Sequence, residues 1–542
     1  MEEIVSTYVA VLVLSIIAMW VTKKIKEWMN LPPGPWGLPI VGYLPFIDRH
    51  QPHITMTKLS KKYGPIYGLN MGSIYTVVLT DHTLIRNAFA NDVFSGRAPL
   101  YLTHGIMHGN GIICAEGELW RDQRKLITMW LKSFGMGKHS LSRQKLEQRI
   151  ALCNRDLIET IEKSKESSID LFSFITNALG NAVNDIIFGF KFPRDDKTYH
   201  WLRKIQEEGC HELGVSGVVN FLPFVRFFSP SIRNTMHILQ RGQTQTHRLY
   251  ESIVAKRRKL LGIIKPKRVA DHLSDEHPDG LVKCITYSKD SSKIEEHYFN
   301  SDVLIPSDHE CILDKFLIEQ KRRFEAGEKS AQFTTDEQLY YLLADMFGAG
   351  LDTTSVTLAW FFLYIALNQD IQENVRKEII SVYPDEEYFI DHARLPYLMA
   401  TICETQRIRS IVPLGIPHGS METAYLGGFQ IPKGTMIVPL QWALHMDPVV
   451  WEDPESFRPS RFLDADGSLL KPRQFIPFQT GKRMCPGDEL SRMLTSSLVV
   501  QILRRRRIRL ASEPPSTVAM QGSVGVTLTP PHVFYHCDPN QS

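Results

Sequence analysis

The stretch Phe478-Gln479-Thr480-Gly481-Lys482-Arg483-Met484-Cys485-Pro486-Gly487 constrains this chain more than any other. Glycines flank one cysteine closely, and an arginine stands two residues before it. Glycine permits close backbone approach and dihedrals that other residues avoid. Exposed backbone N–H groups in such a loop stabilise a thiolate. Asp488 to Leu503 reads as a helix, so a helix N-terminus follows and lowers the thiol pKa further. The local reading is a cysteinate metal ligand, with a plain buried cysteine as the alternative. The chain's eight cysteines include no CxxC pair, so most of the others read as buried reduced thiols.

Three further motifs stand apart from that loop. In Trp120-x-x-x-Arg124 the spacing of four puts both side chains on one helix face. Ala349-Gly350-Leu351-Asp352-Thr353-Thr354 lies inside an apolar helix, although Gly, Asp and Thr are poor interior helix residues. A threonine there can bond back to the carbonyl one turn earlier and open or bend the helix. An acid and a hydroxyl at such a kink could pass protons to a bound ligand; a helix boundary is the bland alternative. Glu404-x-x-Arg407 is a pair three apart on one helix, to which Arg461 of Pro459-Ser460-Arg461-Phe462 adds a second cation. Such a pair alone is usually a solvated face.

The body of the chain reads as helix-rich. Helical periodicity runs over about 150–161, 340–368, 369–382 and 398–409. Val77 to Thr80 reads as a strand, Tyr425 to Pro439 as strands and turns, and Ser523 to Thr529 as a last β-like piece. Length alone suggests roughly three to four domains, but the pattern fits one α+β body, mostly α. Residues 265–310 are polar, mixed in charge and carry three prolines. They are expected to form a solvated insertion without a catalytic role.

Ile4 to Val21 holds 18 residues without a charge, followed by Lys23, Lys24 and Lys26. As a helix it spans roughly 27 Å, which predicts a membrane anchor over residues 1–30 with the rest of the chain in the cytosol. Leu31-Pro32-Pro33-Gly34-Pro35 then reads as a stiff lever. Net charge is only +3, too small to argue for nucleic acid.

Together, in this order, the four motifs resemble those of the cytochrome P-450 superfamily of haem-thiolate monooxygenases, from Pro32 to about Thr529. The cysteine loop matches F-x-x-G-x-R-x-C-x-G, with Gln479 where the family often has glycine. The resemblance implies a single large helix-rich domain with small β-sheets over residues 31–542. It implies haem b as cofactor, with Cys485 as the axial ligand. It implies Arg97, Trp120, Arg124, His418 and Arg483 as propionate contacts, and Asp352 and Thr353 as the acid–alcohol pair that delivers protons to dioxygen. Glu404, Arg407 and Arg461 resemble a structural triad. The chain shows no nucleotide fingerprint, so electrons must come from a partner. The resemblance implies NADPH–cytochrome reductase, with cytochrome b5 as an optional second donor. Arg121, Lys125, Lys132 and Lys138 are candidate docking residues, with Arg504 to Arg507 either joining them or forming a solvated face.

Within the superfamily, Ser410-Ile-Val-Pro-Leu-Gly-Ile-Pro-His, His445-Met-Asp-Pro-x-x-Trp and the polar insertion are similar to the microsomal branch that includes arthropod ecdysteroid hydroxylases. That implies an endoplasmic-reticulum enzyme acting on a lipophilic, steroid-like substrate with dioxygen, most similar to the side-chain 25-hydroxylase type. The alternatives are an ecdysteroid-inactivating 26-hydroxylase, a general lipophile monooxygenase, or a haem-thiolate protein that rearranges peroxides or only binds diatomic ligands. By family position the cavity is expected to be lined by Leu100, Leu102, Ile106, Met107, Ile112, Phe221, Phe224, Phe347, Val412, Leu414 and Val524. His104, His108 and Ser523 are the expected polar handles.

Overall fold

The structure is a computed structural model and describes residues 29–137, 141–163, 168–193, 196–212, 217–263, 282–287, 294–307, 309–384 and 390–539. The expected anchor helix, Lys138 and much of the polar insertion lie outside the described residues.

Twelve of the described helices frame the fold: α1 Pro52–Tyr63, α2 His82–Ala90, α3 Gly117–Leu131, α4 Leu141–Lys163, α5 Leu171–Phe188, α6 Lys197–Glu212, α7 Pro230–Leu261, α8 Ile312–Glu325, α9 Asp336–Leu367, α10 Gln369–Val382, α11 Pro396–Ile408 and α12 Asp488–Arg505. α9 is the centre. Thr335 caps it by accepting from the Gln338 N–H, and Asp336 and Glu337 sit where the helix dipole favours acids. It is long and apolar enough to cross a bilayer, yet most of that stretch is buried inside the protein. A helix apolar on all sides is a core helix. α5, α7, α10, α11 and α12 pack around it.

Eleven of the described strands are β1 Ile66–Met71, β2 Ile74–Leu79, β3 Gly96–Arg97, β4 Val282–Tyr287, β5 Ile294–Phe299, β6 His418–Gly419, β7 Met436–Pro439, β8 Arg506–Leu510, β9 Ser523–Val524, β10 Leu528–Thr529 and β11 Tyr535–Pro539. The main sheet has the order β1-β2-β7-β6-β3. Its last pairing sets Arg97 opposite His418. The proline lever is tied to this sheet: the Gly68 N–H donates to the Pro33 carbonyl at 2.8 Å, and a Cβ on Gly34 would collide with the Gly68 backbone.

Sequence periodicity located α10 to the residue and placed α9, α11 and α12 within a few residues of their ends. The helix carrying Asp352 and Thr353 runs unbroken through both, so the expected opening there is limited to one hydrogen bond: Thr353 Oγ1 donates to the Ala349 carbonyl at 2.8 Å. Ser523 to Thr529 is a tight hairpin, β9–β10. The polar insertion departs from expectation as well. It contains the antiparallel hairpin β4–β5, in which Cys284 and Phe299 are buried, and Trp201 of α6 donates to the Ile285 carbonyl at 3.2 Å. Two apolar side chains on one hairpin face suffice to dock it on the helices, so this part of the insertion is not merely solvated.

Candidate active site

The cysteine loop is shaped by two residues in the left-handed region, Gln479 (φ 58°) and Gly481 (φ 76°). A Cβ on Gly481 would meet the Phe89 carbonyl, which accepts from the Lys482 N–H at 3.1 Å, so only glycine fits. The Cys485 N–H closes the loop on the Phe478 carbonyl at 3.0 Å. α12 starts three residues later, at Asp488. The Gly487 N–H donates toward the sulfur, and Arg124 and Arg492 lend positive potential, but burial outweighs them and pushes the thiol up. The loop N–H and the arginines thus favour the thiolate, as expected, while burial opposes it. A cation bonded to the sulfur would hold the thiolate.

Cys485 lines one wall of a cavity of about 710 Å³. α9 crosses the same cavity from Tyr341 to Thr357, placing Asp352, Thr353 and Thr354 in its wall. Asp352 is held from the C-terminal hairpin: Thr527 Oγ1 donates to its Oδ2 at 2.9 Å. Burial raises the Asp352 pKa, and the Thr527 bond opposes that rise. Thr527 is not among the residues expected in the cavity wall.

Two arginines meet beside the cysteine loop. Arg483 Nε donates to the Ser95 carbonyl at 2.7 Å and its Nη2 to the Ala115 carbonyl at 2.6 Å. Its guanidinium lies 4.3 Å from the Trp120 ring centroid. Arg97 Nε donates to the Ile113 carbonyl at 2.6 Å, while its Nη1 is buried with no hydrogen-bond partner among the described residues. Arg124 lies along α3 from Trp120. Burial lowers the pKa of all three arginines, and none has a carboxylate in salt-bridge contact among the described residues. Glu116 and Asp345 act on Arg97 without direct side-chain pairing, and its orphaned guanidinium nitrogen asks for an acceptor. These residues fit a ligand with carboxylates.

His418 is fully buried beside them and stacked on Phe89 at 3.6 Å between centroids. Its Nδ1 lies 2.8 Å from the Phe94 carbonyl and its Nε2 3.3 Å from Gln479 Oε1. Burial lowers its pKa well below the ordinary value, so it is neutral. Both nitrogens already have protein neighbours, and Gln479 also donates to the Ile416 carbonyl at 3.2 Å. Gln479, which stands where the family often has glycine, thus occupies a left-handed dihedral and uses its side chain to bridge His418 and Ile416.

The expected cavity lining is right for Leu100, Leu102, Ile106, Met107, Ile112 and Val412. It is wrong for Phe221 and Leu414, which pack with the β1–β2 hairpin, and for Val524, which packs against Trp360. Phe347 points from α9 into the main core near Phe188, and Phe224 is exposed. His104, His108 and Ser523 are exposed rather than in the cavity wall. The polar handles come instead from α6, α7 and α9, among them Gln206, Gln243, His247, Tyr341 and Asp345.

The structural triad assembles as expected. Arg407 makes a bidentate pair with Glu404 at 2.7 and 2.9 Å, both fully buried, and Arg461 reaches Glu404 at 3.3 Å. Arg407 also donates to the His445 and Pro454 carbonyls. Ser410 and His445, from the two branch-type motifs, meet at 2.8 Å. On the outer surface, Arg121, Lys125 and Lys132 line an open groove with Trp120, Arg124 and Lys482. The Arg504 to Arg507 run does not join it; those arginines contact Pro384, Gln369 and Glu162.

Comparison with known proteins agrees with this architecture. The family model "Cytochrome P450" matches residues 32–537. Cytochrome P450 306a1 of Drosophila melanogaster is 43% identical over 519 residues, covering 93% of this chain and 88% of the relative. Cytochrome P450 18a1 of the same organism is 30% identical, covering 98% and 90%, and human cytochrome P450 2U1 is 30% identical, covering 97% and 92%. The chain belongs to the cytochrome P450 family and is a haem-dependent monooxygenase whose cofactor takes a cysteine thiolate as axial ligand.

Proposed function

We propose that the protein hydroxylates the side chain of an ecdysteroid precursor, at carbon 25, from the endoplasmic-reticulum membrane. The observation that carries the reading is the cavity of about 710 Å³ that joins Cys485, the Asp352–Thr353 pair and a mainly apolar lining, a space that haem and a lipophilic substrate would share. The steroid is supported by the resemblance of the branch-type motifs to arthropod ecdysteroid hydroxylases, and the carbon by the likeness of the polar insertion to that of the Phantom-type 25-hydroxylase. A 26-hydroxylase is the second reading.

In this reading Cys485 is the axial ligand, and Arg97, Arg124 and Arg483 hold the two propionates, with Trp120 supporting Arg483 by its ring face. His418 holds Gln479 against the loop, and contacts a carboxylate itself only if Gln479 turns aside. When bound, haem activates dioxygen, so that one atom enters a C–H bond and the other leaves as water. Thr353 carries a hydroxyl on the cavity wall, and Asp352 stands beside it with a carboxyl whose pKa burial raises, which favours its role as the proton source in this reading. The apolar lining excludes water and fixes the substrate.

NADPH–cytochrome reductase is the electron donor in this reading, with cytochrome b5 as an optional second donor, docking on the groove of Arg121, Lys125 and Lys132. Residues 1–30 anchor the protein. A second membrane contact is provided by the exposed Leu38, Ile40, Phe46, Phe224, Phe227 and Phe228, whose two segments pack on one apolar cluster.

The test is mass-spectrometric product mapping with reductase, NADPH and a panel of sterols and fatty acids. Regioselective side-chain hydroxylation of the steroid is expected. Efficient fatty-acid hydroxylation with no steroid turnover overturns the substrate.

A further inference from the structure

We infer that Gln243 and His247 on α7, with Tyr341 on α9, form a polar docking end of the cavity that holds the oxygen functions of an elongated neutral lipid, so that its apolar end is presented beside Thr353. The inference rests on the proposed oxygenation of a steroid and adds its orientation.

The three side chains lie together in the cavity wall where α7 packs on α9. The His247 ring stands edge-on to Tyr341 at 4.5 Å between centroids. Gln243 donates to the Ile106 carbonyl at 3.0 Å, the same carbonyl that the Tyr341 hydroxyl approaches. Tyr341 is 4% exposed, and its own reach to the Ile106 carbonyl is long, at 3.5 Å. Among the described residues neither ring nitrogen of His247 has a hydrogen-bond partner, so the cluster has donor and acceptor capacity to spare.

Charge decides what it takes. Burial, aided by the nearby His108, pulls the His247 pKa down to about 4, leaving a neutral ring with one N–H and one lone pair. The arginines lining the cavity, Arg97 and Arg483, are both at the Cys485 end. The docking end therefore matches a hydroxyl or ketone and offers no cation to a carboxylate.

Length decides the orientation. Tyr341 and Thr353 are both in the wall of the cavity, twelve residues apart on the unbroken α9, a rise of roughly 18 Å. A ligand anchored at Tyr341 and oxidised near Thr353 must be extended, with its polar groups at one end. A sterol fits with its ring hydroxyl at Tyr341 and its side chain beside Thr353.

The test uses the full chain in membranes and measures equilibrium binding of cholesterol and of its 3-deoxy counterpart, cholest-5-ene. Cholesterol should bind about tenfold tighter, the worth of a hydrogen bond or two. Tyr341→Phe and His247→Leu should each erase most of that preference while leaving cholest-5-ene binding unchanged, and His247→Gln, which keeps a donor and an acceptor, should restore it. Equal loss for both ligands, equal wild-type affinities, or failure of cholesterol to bind overturns the inference. Binding selectivity that depends on these residues, with neither sterol oxidised, sustains the docking end and counts against sterol turnover.

Discussion

The Thr527 hydroxyl reaches across from the C-terminal hairpin to donate to Asp352 Oδ2 at 2.9 Å. One side chain thus couples the last strands of the chain to the acid on the central helix. The bond opposes the rise that burial imposes on the Asp352 pKa. Thr527→Val keeps the shape and removes the donor, so the Asp352 pKa should rise further. If Asp352 supplies protons, the pH profile of product formed per NADPH should shift to higher pH in the variant, with total NADPH use reduced less than product. An unmoved profile assigns Thr527 to packing alone.

Asp345, two helical turns before Asp352, clamps the loop that closes the cavity. Its Oδ2 accepts from the Ile112 and Ile113 N–H groups at 2.7 and 2.8 Å, and Gln338 holds Gly111 by two further bonds. Burial raises the Asp345 pKa from 3.8 to about 7. The folded state therefore holds this proton between about pH 4 and 7 while the unfolded state has lost it. Its contribution is full below the unfolded pKa and falls as pH rises through that window, by at most about 1.4 kcal/mol per pH unit. Asp345→Asn should flatten the decline, so that its Tm exceeds that of the parent at pH 8 by more than at pH 5.

Much of the site was legible because its chemistry is local. Cys485, Gly481 and Arg483 sit within five residues, and the loop's dihedrals and contacts are set there. α10 was legible because its apolar face recurs at helical spacing. The cavity's polar handles were not, because Gln243, His247, Tyr341 and Asp345 come from different helices and only tertiary packing joins them. Phe221 and Leu414 were misplaced for the same reason: an apolar residue near the site in sequence packs equally well against a neighbouring sheet. The β4–β5 hairpin was missed because its flanks are polar and prolines dominate the segment.

Replacing Cys485 with alanine should abolish turnover and remove the thiolate signature from the reduced carbonyl spectrum. Burial pushes the Cys485 thiol up, and in the proposed reading coordination would hold it as the thiolate. A variant that kept both the spectrum and the activity would show that another cysteine is the ligand.

Arg407 and Glu404 are fully buried and paired twice. Arg407→Ala leaves the Glu404 carboxylate without its bidentate partner and strips the bonds to the His445 and Pro454 carbonyls. Breaking one side of such a pair costs about 3–5 kcal/mol. The variant should lose haem during purification or unfold at markedly lower denaturant, monitored by Soret absorbance. A stability within about 1 kcal/mol of the parent would make the pair dispensable.

The outer groove offers a sign-specific test of reductase docking. Arg121, Lys125, Lys132 and Lys482 share it with one acid, Asp92, which pairs with Lys482 at 2.7 Å. That pair is exposed, so it adds little to stability but neutralises one cation of the surface. Asp92→Asn leaves Lys482 unopposed and should speed electron transfer from the reductase at low salt, with the gain lost as salt screens the field. Arg121→Glu with Lys125→Glu should do the reverse, raising the reductase concentration needed for half-maximal rate several-fold and flattening the salt dependence. Arg124 is left intact in both tests because it also faces the Cys485 sulfur, and changing it would mix docking with ligation. If both variants titrate with reductase as the parent does, the acceptor surface lies elsewhere. The Arg504 to Arg507 run, on the far end of α12 and already engaged with Glu162 and Pro384, would then be the next surface to mutate.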